Sequence, residues 1–121
     1  MNDLYKYLDE LRGYYLQLAH KAIEDEGERF WTYCKDEYET LRVKMDNDML
    51  KSFDLIINEL LLHQLHDFLV AMDGGEWISE KFQFDIINKE NGNVENEAIS
   101  LHDQFIDYLW NKRDGDPFIN Y

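Results

Sequence analysis

Residues 48–72 read DMLKSFDLIINELLLHQLHDFLVAM and decide the fold, because they form the widest helical stripe of apolar side chains in the chain. The apolar residues recur at spacings of three and four, namely at Phe53, Ile57, Leu60, Leu61, Leu65, Phe68, Leu69 and Met72. Such a stripe predicts a central helix that contacts neighbours on more than one side. The run Asp46-Asn47-Asp48 offers polar side chains that can cap the first turn, and Asp73-Gly74-Gly75 ends the helix.

Three further helices are predicted around this central one. The first covers about residues 3–24 and carries one apolar stripe, made of Leu4, Leu8, Leu11, Tyr15, Leu18 and Ala22. The second covers about residues 28–45, after a stop at Gly27, and is either separate from the central helix or continuous with it as one bent rod. The last begins at a capping pair, Ser100 and Asp103, and runs to about residue 112 with Leu101, Phe105, Ile106, Leu109 and Trp110 on its apolar stripe.

A β-hairpin is predicted between the central helix and the last one. Phe82, Phe84 and Ile86 alternate with polar residues as in a half-buried strand, and Asn91-Gly92 is a favoured hairpin turn. The returning strand, residues 93–97, has only Val94 as an apolar anchor. We therefore predict an α+β fold that is mostly α, with about four helices packed in one domain and one hairpin before the last helix. Because no flexible linker divides the chain, we expect a single domain over residues 1–121.

The composition is that of a folded domain. Of the 121 residues, 45% are hydrophobic and 15% are aromatic, which distinguishes the chain from an acidic disordered tail. The N-terminus lacks the features of a signal peptide, and no apolar run approaches the roughly 18 residues of a membrane span. Cys34 is the one cysteine, so an intramolecular disulfide is excluded and a reducing compartment is favoured. We therefore expect a cytoplasmic protein.

Acidic side chains are concentrated in one part of the chain. Residues 52–111 hold twelve Asp and Glu against two Lys, while the whole chain has a formal net charge of -14. A surface of this sign repels nucleic-acid phosphates and anionic lipid headgroups, because each bound phosphate would need a basic side chain. We therefore expect a basic protein as the partner, with no direct nucleic-acid binding and no membrane docking.

The sequence contains no strong catalytic signature. Gly74-Gly75 is not followed by the Gly-Lys-Ser/Thr pattern of a phosphate-binding loop, and Cys34 lies in the apolar register of its predicted helix. One set has metal-ligand chemistry if the two helices that carry it pack together: His63, His66, Asp67, His102 and Asp103. We expect no catalytic residue, no bound metal and no cofactor. A small metal-dependent hydrolase that uses this His-Asp set remains an alternative.

The second half of the chain resembles a known class of proteins. Its order is LHDFLVAMDGG at residues 65–75, then the hairpin of residues 82–92, then SLHDQF at residues 100–105. This order resembles small bacterial immunity proteins of polymorphic-toxin and contact-dependent inhibition systems. The resemblance implies a cytoplasmic antitoxin that binds and inhibits one cognate toxin, such as a nuclease, and it transfers no catalytic residue.

The residues that we expect to bind the partner are the carboxylates of this half, with Trp77 as an aromatic anchor. The carboxylates are Asp67, Asp73, Glu76, Glu80, Asp85, Glu95, Glu97, Asp103 and Asp107. They would attract a basic cleft and speed the encounter, while a large aromatic side chain would add contact area. A second alternative is a nucleic-acid mimic of phage type, against which the twelve interspersed Lys and Arg residues argue.

Overall fold

The computed structural model describes residues 2–24, 34–97 and 99–112. Within these ranges the chain forms four α-helices: α1 (Asn2–Glu24), α2 (Lys35–Lys44), α3 (Asn47–Met72) and α4 (Leu101–Lys112). A short 3₁₀ helix, Trp77–Glu80, follows α3. The described residues thus form a single all-α domain, which confirms the mostly helical part of the fold prediction. The predicted domain limits, residues 1–121, stay a prediction.

The central helix α3 begins and ends where its sequence predicts. Asp46 caps it, since the side-chain Oδ1 accepts a hydrogen bond of 2.8 Å from the backbone N–H of Met49. At the other end Gly74 adopts φ +90°, and the amide of Gly75 donates to the carbonyl of Val70 at 2.9 Å. Because the residues between α2 and α3 are extended, the alternative of one bent rod is wrong.

The hydrophobic core lies where α1, α3 and α4 meet. Its buried members are Tyr5, Leu8, Leu62, Leu69, Leu101, Phe105 and Leu109. The buried face of α1 is rotated relative to the predicted stripe: Leu16 is 5% exposed, whereas Tyr15, which we expected inside, is 46% exposed. The rotation arises because α1 also buries two charged side chains, Asp9 and Arg12.

A polar layer joins α1, α3 and α4 inside the protein. Arg12 is 2% exposed and donates hydrogen bonds to Asp9 and to Asn58 of α3. Lys112, the last residue of α4, donates to the other oxygen of Asp9. Buried charges are costly unless they are paired and hydrogen-bonded, so these contacts fix how the three helices meet.

A second polar group lies further along the α1–α3 contact. The ring of His20 lies between Asp54 of α3, with Nδ1 to Oδ2 at 2.7 Å, and Glu24, with Nε2 to Oε2 at 2.5 Å. Partial burial opposes protonation of this ring, but the hydrogen bonds to Asp54 and Glu24 outweigh it and raise the pKa of His20. Periodicity could not indicate the contact between His20 and Asp54, because the two residues are 34 positions apart.

Helix α2 packs against α1, and one of the contacts lies at its C-terminal end. None of its residues is buried, and the Arg42 guanidinium donates a hydrogen bond of 2.8 Å to the carbonyl of Ala22 in α1. Cys34, expected on an apolar face, is exposed. The predicted start of α2 and the stop at Gly27 fall on residues 25–33, outside the described part of the chain.

The predicted hairpin is wrong as a pair of strands. Residues 82–97 contain one antiparallel bridge, between Ile87 and Val94, and no strand. The turn itself is present, since Gly92 adopts φ +76° and donates to the carbonyl of Asn88. With Val94 as its one apolar anchor, the returning segment cannot bury enough surface to hold a two-stranded ladder.

The Asn96 side chain takes over where the two backbone hydrogen bonds between these segments, from Asn88 to Asn93 and from Glu95 to Ile86, end. Asn96 donates to the carbonyls of Met72 and Phe84, at 2.7 and 2.6 Å, and accepts a hydrogen bond of 2.9 Å from the amide of Ile86. These bonds satisfy backbone groups that a neighbouring strand would otherwise satisfy. They also attach residues 82–97 to the end of α3.

Among the described residues one segment, Asn47–Glu80, which covers α3 and the 3₁₀ helix, contains an 18-residue window that is apolar enough to cross a membrane by length and composition alone, with a mean hydropathy of 1.2. Its outer face exposes Met49, Ile56 and Leu60, each by about half or more. A single such stretch is weak evidence, because core helices of globular proteins meet the same criterion. Glu59 and Asp67 within it would be costly at the centre of a bilayer. The expectation of no membrane docking stays a prediction.

Candidate functional site

A surface cavity of about 470 Å³ lies between the end of α3 and residues 82–97. Three of the predicted partner-binding carboxylates line it, namely Asp73, Asp85 and Glu97. Ser79, Phe82 and Phe84 line it as well. No lysine or arginine of the described chain contributes to its walls. The cavity is therefore a concave site with negative charge and aromatic surface, suited to a cationic group.

Local structure explains why these side chains meet. The glycine turn after Met72 reverses the chain, and the Ser79 hydroxyl then donates to the carbonyl of Ala71 at 3.1 Å, which ties the 3₁₀ helix to α3. Asn96 holds the other wall against the same helix end. The cavity is thus built on the rigid end of α3, although one wall is a segment without regular secondary structure.

Asp73 is the most constrained carboxylate of the cavity. Its Oδ2 accepts a hydrogen bond of 3.0 Å from the backbone N–H of His102 and lies 2.6 Å from Nδ1 of the His102 ring. In this way Asp73 caps the N-terminus of α4, alongside the predicted pair in which the Ser100 hydroxyl donates to Asp103 at 2.9 Å. The Asp73 side chain is 9% exposed, and its Oδ1 has no hydrogen-bond partner among the described residues.

The negative potential at this end of the protein affects a neighbouring phenol. Burial, followed by the charges of Asp73 and Glu95, raises the pKa of Tyr5 to about 12. The Tyr5 hydroxyl donates to Gln104 of α4 at 3.2 Å. Both Asp73 and Glu95 belong to the predicted set, so these two carboxylates act on the same region.

The structure brings together some of the predicted residues and leaves others apart. Beyond the three carboxylates in the cavity, Glu95 accepts a hydrogen bond from the Asn88 side chain at 3.2 Å. Four of the remaining carboxylates are exposed and line no described cavity: Asp67, Glu80, Asp103 and Asp107. Glu76 is half-buried just before the 3₁₀ helix. In the part of the chain that the structure describes, none of these nine carboxylates forms an ion pair with lysine or arginine.

Large aromatic side chains lie exposed in the same half of the chain. Trp77, predicted as an anchor, is 69% exposed, and Phe82 is 58% exposed although its alternating pattern predicted half burial. Trp110, which we expected on the apolar stripe of α4, is 47% exposed. The sequence could not identify Phe82 or Asn96 as site residues, because their positions depend on the hairpin not forming.

The histidines do not assemble a metal site in the described residues. The rings of His66 and His102 pack edge to face with centroids 5.3 Å apart, while His63 lies 3.9 Å from Glu59. Asp67 and Asp103 each contact one of these rings, at 3.3 and 3.6 Å. Within the described ranges no group of three or more His, Cys, Asp or Glu side chains has the geometry to hold a metal ion.

No protein-family model, no curated protein sequence and no solved structure matches this chain. The resemblance of residues 65–105 to immunity proteins therefore remains a hypothesis from the order of their motifs.

Proposed function

We propose that this protein is a non-enzymatic, acidic binding protein that neutralises a basic partner in the cytoplasm. The form of this function that fits the chain best is a bacterial immunity protein, which inhibits a cognate toxin such as a nuclease. A nuclease has a basic cleft because its substrate is a polyanion, so an acidic surface can occupy that cleft.

One observation carries the proposal: nine carboxylates in the second half of the chain lack lysine or arginine partners within the described structure. Three ion pairs of the described residues join a basic side chain to an acid of α1, namely Lys6–Glu10, Arg12–Asp9 and Lys112–Asp9. These nine carboxylates are therefore not neutralised by neighbouring basic side chains, and their charge is available to an external partner.

Exposed aromatic side chains support a protein partner over a polyanion-binding role. Trp77 and Phe82 lie beside the acidic residues and are mostly exposed. Aromatic anchors surrounded by charge are typical of the energetically dominant part of protein–protein interfaces. The hydrolase alternative lacks such support, since no group of three or more His, Cys, Asp or Glu side chains in the described residues could hold a metal ion.

The proposal is tested by affinity capture from the native host, followed by mass spectrometry. We expect one predominant basic protein that elutes between low and high salt, because charge attraction is screened over about 8–10 Å at physiological ionic strength. A toxin encoded in the adjacent reading frame would be the expected identity. Capture of no protein, or of acidic proteins only, would refute the proposal.

Association kinetics with the captured partner provide the sharper test. We expect the triple charge reversal Asp67→Lys, Asp85→Lys and Glu97→Lys to slow association at low salt by roughly 10-fold or more, with a smaller effect on dissociation. The matched control reverses Asp36 and Glu37 on α2 and Asp48 in the first turn of α3, which lie outside the proposed surface. Equal association rates for both variants would contradict the proposed surface.

A further inference from the structure

We propose that the cavity between the end of α3 and residues 82–97 receives one arginine side chain of the partner. This inference rests on the proposed function and specifies its central contact. In the proposed function acidic residues cover a basic cleft, whereas here a basic side chain of the partner enters a recess of this protein.

The walls of the cavity have the composition that a guanidinium group requires. Asp73, Asp85 and Glu97 supply carboxylates, and Phe82 and Phe84 supply aromatic surface. Guanidinium groups bind carboxylates through paired hydrogen bonds and stack on aromatic rings, while an ammonium group is a compact and strongly hydrated charge. A volume of about 470 Å³ is within the range of sites that enclose a small ligand or side chain.

Asp73 provides an observation independent of the acidic composition. Its side chain is more than nine-tenths buried and lines the cavity, yet Oδ1 accepts no hydrogen bond from any described residue. A buried carboxylate oxygen without a donor is unfavourable, and native structures rarely leave one unpaired without a reason. Oδ1 is closed off from solvent, so an arginine N–H that enters from outside would satisfy it once the Asp73 carboxylate turns toward the cavity.

The cavity between α1 and α3 offers a useful contrast. It has a larger volume, about 610 Å³, and its Asp54 also has a buried Oδ1 without a partner, but Arg12, His20 and Lys21 line it as well. Basic groups in those walls would repel an arginine side chain. The acidic cavity is thus the better site for a cation of the two, and the contrast depends on charge and not on size.

The test is a titration of the ¹⁵N-labelled protein with N-acetyl-arginine methylamide, followed by ¹H–¹⁵N NMR. We expect saturable shifts of the amides of Gly74, Ser79 and Glu97, which surround the cavity. The citrulline analogue has the same shape without the charge, and we expect no saturable shifts with it. The lysine analogue is expected to bind at least about 3-fold more weakly, because it lacks the planar fork.

Paired variants separate the cavity from general charge attraction. We expect Asp85→Asn with Glu97→Gln to weaken binding of the arginine probe by about tenfold or more, because two charged acceptors are lost. The control, Asp36→Asn with Glu37→Gln on α2, removes the same charge and should change binding less than about twofold. Equal binding of citrulline or of the lysine analogue, or equal weakening by the two variant pairs, would overturn the assignment.

These outcomes are distinguishable from failure of the proposed function. If the arginine probe does not bind at the cavity but the basic partner is still captured in a salt-sensitive manner, the cavity assignment fails alone. If the probe binds at the cavity but no basic partner is captured, the proposed function fails while the arginine site stands.

Discussion

Asp9 and Arg12 are charged side chains inside the protein, exposed by 3% and 2%. We predict that Asp9→Ala lowers the free energy of unfolding by about 3–5 kcal/mol, because it leaves the Arg12 guanidinium buried without its counter-charge. Urea denaturation would measure the change. Asp9→Asn keeps a hydrogen-bond acceptor and should therefore lower the free energy of unfolding by less.

The adjacent residue provides the control for this prediction. Glu10 is exposed and lies 3.9 Å from Lys6, so Glu10→Ala should change stability by less than about 1 kcal/mol. If Asp9→Ala lowered the free energy of unfolding no more than Glu10→Ala does, the polar layer would not hold the helices together.

His20 makes stability depend on pH. Its pKa in the folded protein is raised above the ordinary value of 6.5, since hydrogen bonds to Asp54 and Glu24 outweigh the opposing effect of burial. A raised folded-state pKa stabilises the protein fully below about pH 6.5, and this contribution disappears as pH rises through the folded-state value. We predict that wild type exceeds His20→Gln in stability at pH 5.5 and that the difference shrinks toward pH 8.5.

Urea denaturation at several pH values, together with NMR titration of the His20 ring, would measure this effect. His63→Gln is the matched control, because the side chain of His63 is 60% exposed. A wild-type advantage that grew with rising pH would contradict the sign of the effect.

Individual buried polar residues could not be predicted from the sequence. Local periodicity reports which side of a helix is apolar, but Asn58, which binds Arg12, and Asp54, which binds His20, are 46 and 34 residues away from them.

The cap of α3 was predictable, since Asp46 binds the amide three residues further on, whereas α4 is capped by Asp73, which is 29 residues away from His102. The exposure of Trp110 was missed because a helical stripe does not show which of the adjacent apolar residues Leu109 and Trp110 faces the core.

Among the elements, helices were predictable and the hairpin was not. A helix satisfies its own backbone, so strong periodicity with caps at both ends identifies α3 to within one residue. A two-stranded hairpin needs further surface to pack against, and residues 93–97 provide little. The cavity could not be predicted for the same reason, because its wall is the segment in which the Asn96 side chain takes over from the backbone hydrogen bonds.

The hydrogen bonds of the Asn96 side chain lead to a prediction for residues 82–97. We expect Asn96→Ala to lower stability by about 2–3 kcal/mol, because three hydrogen bonds worth roughly 0.5–1.5 kcal/mol each are lost. Hydrogen exchange of the Ile86 amide should also become faster. Asn93→Ala is the control, since Asn93 is exposed, and it should stay within about 0.5 kcal/mol of wild type. Equal losses of stability in Asn96→Ala and Asn93→Ala would show that other contacts hold residues 82–97 in place.

At the scale of the whole molecule, unpaired negative charge should cost stability. The chain has a formal net charge of -14, and its exposed carboxylates in the second half repel one another. We predict that Glu80→Gln, Asp85→Asn and Glu97→Gln together raise the free energy of unfolding at low salt by roughly 0.5–2 kcal/mol. Added sodium chloride should stabilise wild type more than this variant.

Thermal unfolding at about 10 and 300 mM salt would measure both effects, since the screening length falls steeply over that range. Neutralisation of Lys81 and Lys89 is the opposite control and should destabilise the protein at low salt. If the acidic variant were less stable than wild type, those carboxylates would have favourable contacts within the protein, contrary to a surface reserved for a partner.

The uncovered outer face of α3 has a consequence for handling the protein. Near pH 4.4, the isoelectric point, the mutual repulsion that keeps copies apart vanishes, while Met49, Ile56 and Leu60 stay accessible. We expect turbidity and loss of monomer in light scattering as the buffer is acidified to that point, and less of both when Ile56 and Leu60 are changed to Gln. The tendency of the protein to aggregate would thus depend on the exposed outer face of α3, away from the acidic cavity.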